Sequence, residues 1–391
     1  MLLGLDILLR DNKKLLEGKR IGILGHQASL NSKGEHIVDL LVDKKNNWKV
    51  TTLFGPEHGI TTHAQDMEAV QSGVHKPTGL PLHSLYGHTD KSLRPTEEML
   101  QNIDTLVIDL QDIGSRYYTY IWTASLCMEV CAKYKKEVII LDRPNPINGV
   151  TIEGELNQSG YTSFVGLYPL AVRHGMTFGE MARFFNDAQD LNCDLKVVSM
   201  EGWEREWYWD QTGLKWTNPS PNMRSPLQAL MYPGTCLLEG TNVSEGRGTD
   251  IPFEIVGAPF VDSAELLESM KEFNLPGVQY ESIDFTPTMQ KHAGKLCHGM
   301  RFKVTDRNIF KPYVTGLALI WSLSTLYREK GFEWRLEPYE FIEDIPAVDL
   351  LTGSSTVRQA IEKHLPLREL LEWVEEPPTS FLRERRTYLL Y

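Results

Sequence analysis

Cysteine is scarce in this chain. Five occur in 391 residues, Cys127, Cys131, Cys193, Cys236 and Cys297, an odd number with no C-x-x-C pair. That pattern predicts neither a disulfide framework nor a cysteine metal site. Cys127 and Cys131 stand four apart on a predicted helix, share its apolar face and read as core thiols. Basic residues are also in deficit: 40 Lys and Arg against 52 Asp and Glu leave a formal net charge of -12. Nucleic acid or an anionic membrane as main partner would want clustered cations. Small substrates stay open, including acidic ones met by a local arginine pocket. No apolar run approaches membrane-spanning length, and Met1 to Asp6 lacks a basic segment leading into a long apolar one. As written the chain reads as cytoplasmic, and as periplasmic or secreted if an export signal was removed.

Several chemical signatures are missing too. Ile21 to His26 fails the dinucleotide fingerprint, and the glycine-rich stretch Glu239 to Thr249 lacks the Gly-Lys-Ser/Thr ending of a P-loop. No cofactor is therefore predicted. The histidines at 58, 63, 75, 83 and 88 gather in one region without metal-site spacing, so no metal is predicted either. No serine sits in a G-x-S-x-G elbow and no cysteine lies beside a plausible base, which disfavours covalent acyl transfer.

What is present is a soluble globular composition, 41% hydrophobic and 24% charged. The length exceeds one ordinary core and predicts two domains, 1–255 and 256–391. Four short apolar stretches run straight into polar clusters: Thr51–Phe54 into Gly55-Pro56-Glu57-His58-Gly59, Leu106–Leu110 into Gln111 to Arg116, Val138–Leu141 into Asp142 to Pro146, and Cys236–Leu238 into Glu239 to Thr249. Loops leaving the carboxyl ends of parallel strands share one rim, where open α/β sheets bind ligands. The clusters are expected to meet there.

Strands are predicted at 20–24, 50–54, 104–110, 137–141 and 195–200. Helices are predicted at 36–43, from Pro95, at 119–135 and from the capping box at Thr177 to about Leu191. This alternation fits parallel βαβ units and hence an α/β fold with a mostly parallel sheet. The segment 59–94, rich in glycine, histidine and proline, reads as a long loop or lid. Beyond 255 a helix at 263–273, strands at 278–285 and 296–305, a helix at 314–328 and further helices form a smaller α/β domain.

Glu57 is the sharpest chemical candidate, a carboxyl directly off a buried strand, where burial raises a carboxyl pKa towards acid catalysis near neutrality. The bland alternative is a glutamate capping its own loop. The loop Asp109 to Tyr120 carries Asp112, Arg116, Tyr117, Tyr118 and Tyr120. One aspartate can serve as a structural partner of Arg116, and the tyrosines offer a platform for a sugar ring or simply a helix start packed on the core. Arg143 and Asn145, stiffened by Pro144 and Pro146, either orient substrate or lock the loop through Asp142. Arg173 and His174 precede a helix, where an anion is favoured. A carboxylate-rich, arginine-lined, aromatic-flanked cleft fits glycoside hydrolysis.

The motifs GPEHG (Gly55–Gly59), DLQDIGSRYYTY (Asp109–Tyr120), LDRPNP (Leu141–Pro146), RHGMT (Arg173–Thr177), PSPNM (Pro219–Met223), EGTNVSEGRGT (Glu239–Thr249) and YLLY (Tyr388–Tyr391) occur in order. Together they resemble the exo-β-N-acetylmuramidases of bacterial peptidoglycan recycling, formerly a domain of unknown function. The resemblance implies a Rossmann-like domain, a smaller C-terminal domain, and release of N-acetylmuramic acid from non-reducing ends of glycan fragments in the cleft between them. It implies Glu57 as catalytic carboxyl; the partner is expected to be Asp112 or Glu245, as base or nucleophile, or else the sugar's own 2-acetamido group assists, which leaves the stereochemistry open. His58, Arg116, Tyr117, Tyr120, Arg143, Asn145, Arg173, His174, Asn222, Asn242 and Arg247 are expected to line the site. One departure stands out: Gly25-His26-Gln27 replaces the family's Thr-Asn-Gln. Muramic acid carries a lactyl carboxylate, which an arginine binds with two parallel hydrogen bonds. The rival readings are a non-catalytic cell-wall carbohydrate binder and a phosphosugar or nucleotide-linked transferase.

Overall fold

The computed structural model describes residues 1–391 except 63, 66, 373, 375 and 376, so His63 lies outside the described residues. Seven strands build the main sheet: β1 (Arg20–Gly25), β2 (Lys49–Gly55), β3 (Gly73–His75), β4 (Leu80–Ser84), β5 (Thr105–Asp109), β6 (Glu137–Leu141) and β7 (Leu195–Val198). Their order is β3-β4-β2-β1-β5-β6-β7. All neighbours are parallel except β3 and β4. Alternate strand residues point to opposite faces, and the two faces bury separate clusters. Ile21, Ile23, Leu53, Val107, Ile139 and Leu141 pack with Leu5, Leu8, Ile37 and Leu41 from helices Gly4–Asp11 and Ile37–Val42. Leu24, Phe54, Leu106, Ile108, Val138 and Ile140 pack instead with helices Tyr120–Lys133 and Phe178–Ala188. Strands covered on both faces need continuous Val, Ile and Leu, which is why these runs carry no polar alternation.

The C-terminal part holds a three-stranded antiparallel sheet of β8 (Ile255–Ala258), β9 (Val278–Phe285) and β10 (Cys297–Val304), ordered β8-β10-β9. Beside it runs helix Pro312–Tyr327, buried along almost its whole length. That helix meets helix Pro226–Thr235 at two glycines. A Cβ on Gly234 would lie 2.0 Å from the Pro312 carbonyl oxygen, and one on Gly316 would lie 2.4 Å from that of Gly234. Only glycine permits this backbone approach.

Two expectations need correction. The segment 59–94 is no plain loop: β3 and β4 form a hairpin, and β4 joins the sheet beside β2, pairing Leu53 with Leu82 and Gly55 with Ser84. These strands are short, half-exposed and interrupted by Pro81, so they show no buried run. Cys236–Leu238 is no strand; it belongs to a 3-10 turn, Cys236–Gly240, that follows the helix Pro226–Thr235. Pro233 and Gly234 inside that helix disguise it, although Ser225 caps it by accepting from the Gln228 N–H.

Candidate active site

The sheet reverses its winding between β1 and β5, so the crevice above their carboxyl ends is the expected ligand position. In this chain its floor is closed by buried side chains, and a cavity of about 180 Å³ lined by Leu30, Asn31, Gln111 and Arg143 opens beside them. His26, fully buried, accepts from the Gln111 N–H at 2.9 Å and stacks on Tyr120 with ring centroids 5.0 Å apart. Burial, and then the charge of Arg143, push the His26 pKa well down, so the ring is neutral. Beside it Arg143 grips Asp109 through two bonds of 2.5 and 2.8 Å and reaches the Leu30 carbonyl at 2.8 Å. That buried pair ties the exits of β1, β5 and β6 together. From Arg143 the Asp142 carboxylate takes only the backbone N–H; its other donors are the Thr177 hydroxyl, the Gly179 N–H and the Tyr391 hydroxyl.

The open site lies one strand over, at the end of β2. There the Gly59 N–H bonds the Pro56 carbonyl at 2.9 Å, closing a turn in which His58 and Gly59 take φ of 69° and 76°. The elbow turns Glu57 inward, leaving it 4% exposed. Its Oε2 accepts from the Thr119 hydroxyl at 2.6 Å and its Oε1 from the Met67 N–H at 3.3 Å. Thr119 comes from the loop after β5, so the first two polar clusters meet at this carboxylate.

Around Glu57 closes a cavity of about 40 Å³. Of the expected site residues, His58, Tyr117, Tyr120, Asn222 and Arg247 line it together with Glu57. Tyr118, the third of the expected platform tyrosines, lines it too, and so do Thr119, Ser220, Tyr232, Glu239, Phe253, Tyr339 and Glu340, which were absent from the sequence-derived set. Thr119 and Glu239 sit within motifs already recognised, where their neighbours drew attention. Tyr339 and Glu340 carry no local signal; only the fold brings them here. The rings form a connected wall, with Tyr118 edge-on to Tyr120 at 4.8 Å and to Tyr232 at 5.9 Å, and Tyr232 edge-on to Phe253 at 4.8 Å. Burial raises the pKa of Tyr118, Tyr120, Tyr232 and Tyr339, so these hydroxyls keep their protons.

Opposite stands the C-terminal wall. Arg247 bonds Glu239 at 2.5 Å, lies 3.0 Å from Glu245 and sits over the Phe253 ring at 5.0 Å. Tyr339 donates to the other Glu239 oxygen at 2.7 Å. Glu245 stands outside the lining, held between Arg247 and Lys291, the latter at 2.8 Å.

The other expected residues serve the scaffold around this cavity. Arg116, wholly buried, donates to the carbonyls of Glu155 and Leu170 at 2.7 Å each and of Leu351 at 2.5 Å; neither nearby aspartate is its partner. Arg173 pairs with Glu153 at 3.0 Å and bonds the Ile147 carbonyl. Asn145 spans Met176 and Ile147, and Asn242 spans Gly331 and Glu333. Asp112 accepts from the Gly114 N–H at 2.6 Å through Oδ2, which lies 3.4 Å from His174 Nε2. Its Oδ1 is buried without a hydrogen-bond partner. Among the described residues no cluster of three or more His, Cys, Asp or Glu is placed to hold a metal ion.

Comparison with known proteins fits this two-walled arrangement. Residues 21–227 match the family model described as exo-beta-N-acetylmuramidase NamZ, N-terminal, and residues 230–391 match its C-terminal counterpart. The chain is 43% identical over 388 residues to the peptidoglycan beta-N-acetylmuramidase NamZ of Bacillus subtilis (strain 168), covering 99% of this chain and 91% of that protein. A crystal structure of a DUF1343 family protein from Bacteroides fragilis NCTC 9343 superposes with a TM-score of 0.89 at 32% identity, covering 100% of this chain and 98% of that one. A second from the same organism gives 0.71 at 27% identity with the same coverage. The chain belongs to the exo-β-N-acetylmuramidase NamZ family.

Proposed function

We propose that the protein is an exo-acting β-N-acetylmuramidase that removes N-acetylmuramic acid from the non-reducing ends of peptidoglycan fragments, with Glu57 as general acid. The observation that carries this reading is the position of Glu57: a buried carboxyl, oriented by Thr119, in a cavity walled by both matched segments of the chain. A glycosidic oxygen entering between the walls meets that carboxyl in a site already shielded from water, where proton donation is most effective. The aromatic wall suits the apolar face of a pyranose, and the lactyl carboxylate falls to Arg247, the one arginine among the lining residues described. At about 40 Å³ the cavity holds water only, so the walls part to admit a sugar.

Glu57→Gln is expected to lower release of muramic acid from a chromogenic muramide by roughly 10²–10⁴-fold while the melting temperature stays put. Near-normal release overturns the acid assignment. A wild-type protein that is stabilised by muropeptide yet releases no sugar is a binder.

A further inference from the structure

The cavity at the switch point of the sheet is separate from the one around Glu57. The two share no lining residue, and His26 stands between them, accepting from the Gln111 N–H on one side and stacked on Tyr120 on the other. At about 180 Å³ it falls below the roughly 300–1,000 Å³ of pockets that hold drug-sized ligands. Its occupant is therefore compact. Cavities that stand empty are apolar throughout, whereas polar groups in a cavity wall are satisfied by water or by a ligand. This wall is mixed. Leu3, Leu30, Leu214 and the Trp209 ring give it an apolar side. Gln111 and Trp209, 2% and 6% exposed, each carry a buried polar atom with no hydrogen-bond partner, Oε1 and Nε1 respectively. Arg143, 3% exposed, spends Nε and Nη2 on Asp109 and the Leu30 carbonyl. Its Nη1 makes no such bond and is not fully enclosed, so it is the edge of the guanidinium turned to the cavity.

Charge decides what kind of group fits that edge. No carboxylate is among the lining residues: Asp109 is bound to Arg143, Asp6 to Ser32 and Glu35 to Asn31, and none of the three lines the cavity. The lining cations are Arg143 and Lys215, and Lys215 makes no ion pair among the described residues. Asp109 balances Arg143, which leaves the single charge of Lys215 to offset an anion. A phosphate dianion exceeds that charge and has no apolar body to lay against the leucines.

We infer that this cavity is a second binding site, for a compact organic monocarboxylate. The carboxylate accepts from Arg143 Nη1 and is balanced by Lys215, while a chain of a few carbons packs against Leu3, Leu30 and Leu214. No covalent bond is made or broken there. The site takes no part in the glycoside cleavage proposed for Glu57 and stands whether or not that reading holds.

The test titrates the full-length protein, in a buffer free of other carboxylates, with acetate, propionate and butyrate, and in parallel with 1-butanol and phosphate, by calorimetry and, for the weakest, saturation-transfer NMR. Butyrate is expected to saturate one site, with affinity rising about fourfold per methylene from acetate to butyrate as each is buried. 1-Butanol has the chain without the charge and phosphate the charge without the chain; each binds weaker than butyrate by about 10-fold or more. Lys215→Met, a surface change, weakens butyrate by about 3–10-fold, and Leu214→Trp, which fills the cavity, removes binding. Arg247→Met, in the wall of the other cavity, leaves butyrate binding intact; its loss there would place the carboxylate beside Glu57 and overturn the assignment. So would wild-type affinity in Lys215→Met or in a folded Leu214→Trp, a flat series from acetate to butyrate, or equal binding of 1-butanol or phosphate. No saturable binding of any carboxylate means that the cavity holds water alone, and the inference falls while the muramidase reading is untouched.

Discussion

Acidifying the protein is expected to expose His26. The ring is fully buried between the ends of β1 and β5, accepts from the Gln111 N–H and has Arg143 nearby. Its folded-state pKa is pushed well below the ordinary 6.5. The unfolded chain therefore takes up this proton first as pH falls, and the folded state is penalised from about pH 6.5 downward. Each unit below that point costs about 1.4 kcal/mol until the folded pKa is reached. Between about pH 6.5 and pH 5 the loss attributable to this one ring is roughly 2 kcal/mol. Other groups titrate in the same range. His75, His83 and His292 are also lowered by burial, while Asp142 is pushed up to about 6 by burial and by Glu180 and works in the opposite sense. All of these are shared with a His26→Gln variant, so the comparison isolates the ring. Urea unfolding of both proteins across this range should give parallel stability curves above about pH 7 and curves converging by roughly 2 kcal/mol at about pH 5. Parallel curves throughout would mean that His26 protonates as easily in the folded protein as in water, and the description of a buried, neutral ring would be wrong.

Three further outcomes follow from the same geometry. Arg247→Met should narrow the preference for a muramide over the matching glucosaminide by about 10–10²-fold, the worth of a charge-assisted bond to the lactyl carboxylate that the glucosaminide lacks; paired kcat/KM values read this directly. Arg116→Met should leave three buried carbonyls without their donor and lower stability by on the order of 3–5 kcal/mol, measured by urea unfolding. Gly316→Ala should be destabilised by several kcal/mol by the same measurement, because its Cβ would meet the Gly234 backbone at 2.4 Å.

The sequence declares the central strands of the sheet because each is buried on both faces and must be apolar throughout, as at Leu106–Ile108 and Val138–Leu141. The hairpin of β3 and β4 lacks that pressure, with Val74 largely exposed, and leaves no comparable trace. Glu57 is legible for a different reason, being a lone carboxyl in a rigid elbow off such a strand. The arginines mislead because an arginine motif does not say what the guanidinium will bond: Arg116 takes backbone carbonyls, and Arg143 takes Asp109 from another strand. Tyr339 and Glu340 reach the cavity from a segment about 280 residues beyond Glu57, a juxtaposition that only tertiary packing creates.

The guanidinium of Arg116 bears on how such a protein can be inherited. Two of its bonds end on Glu155 and Leu170 and the third on Leu351, across the division between the two family segments, and the Gly234–Gly316 contact lies just beyond that division. A gene fragment encoding only the first segment would strand a buried cation without one of its acceptors, and the second would lose the guanidinium that bonds Leu351. Recombination that exchanges one segment for an unrelated module therefore breaks both partners at once, so the two halves are expected to travel through evolution as a single unit of selection.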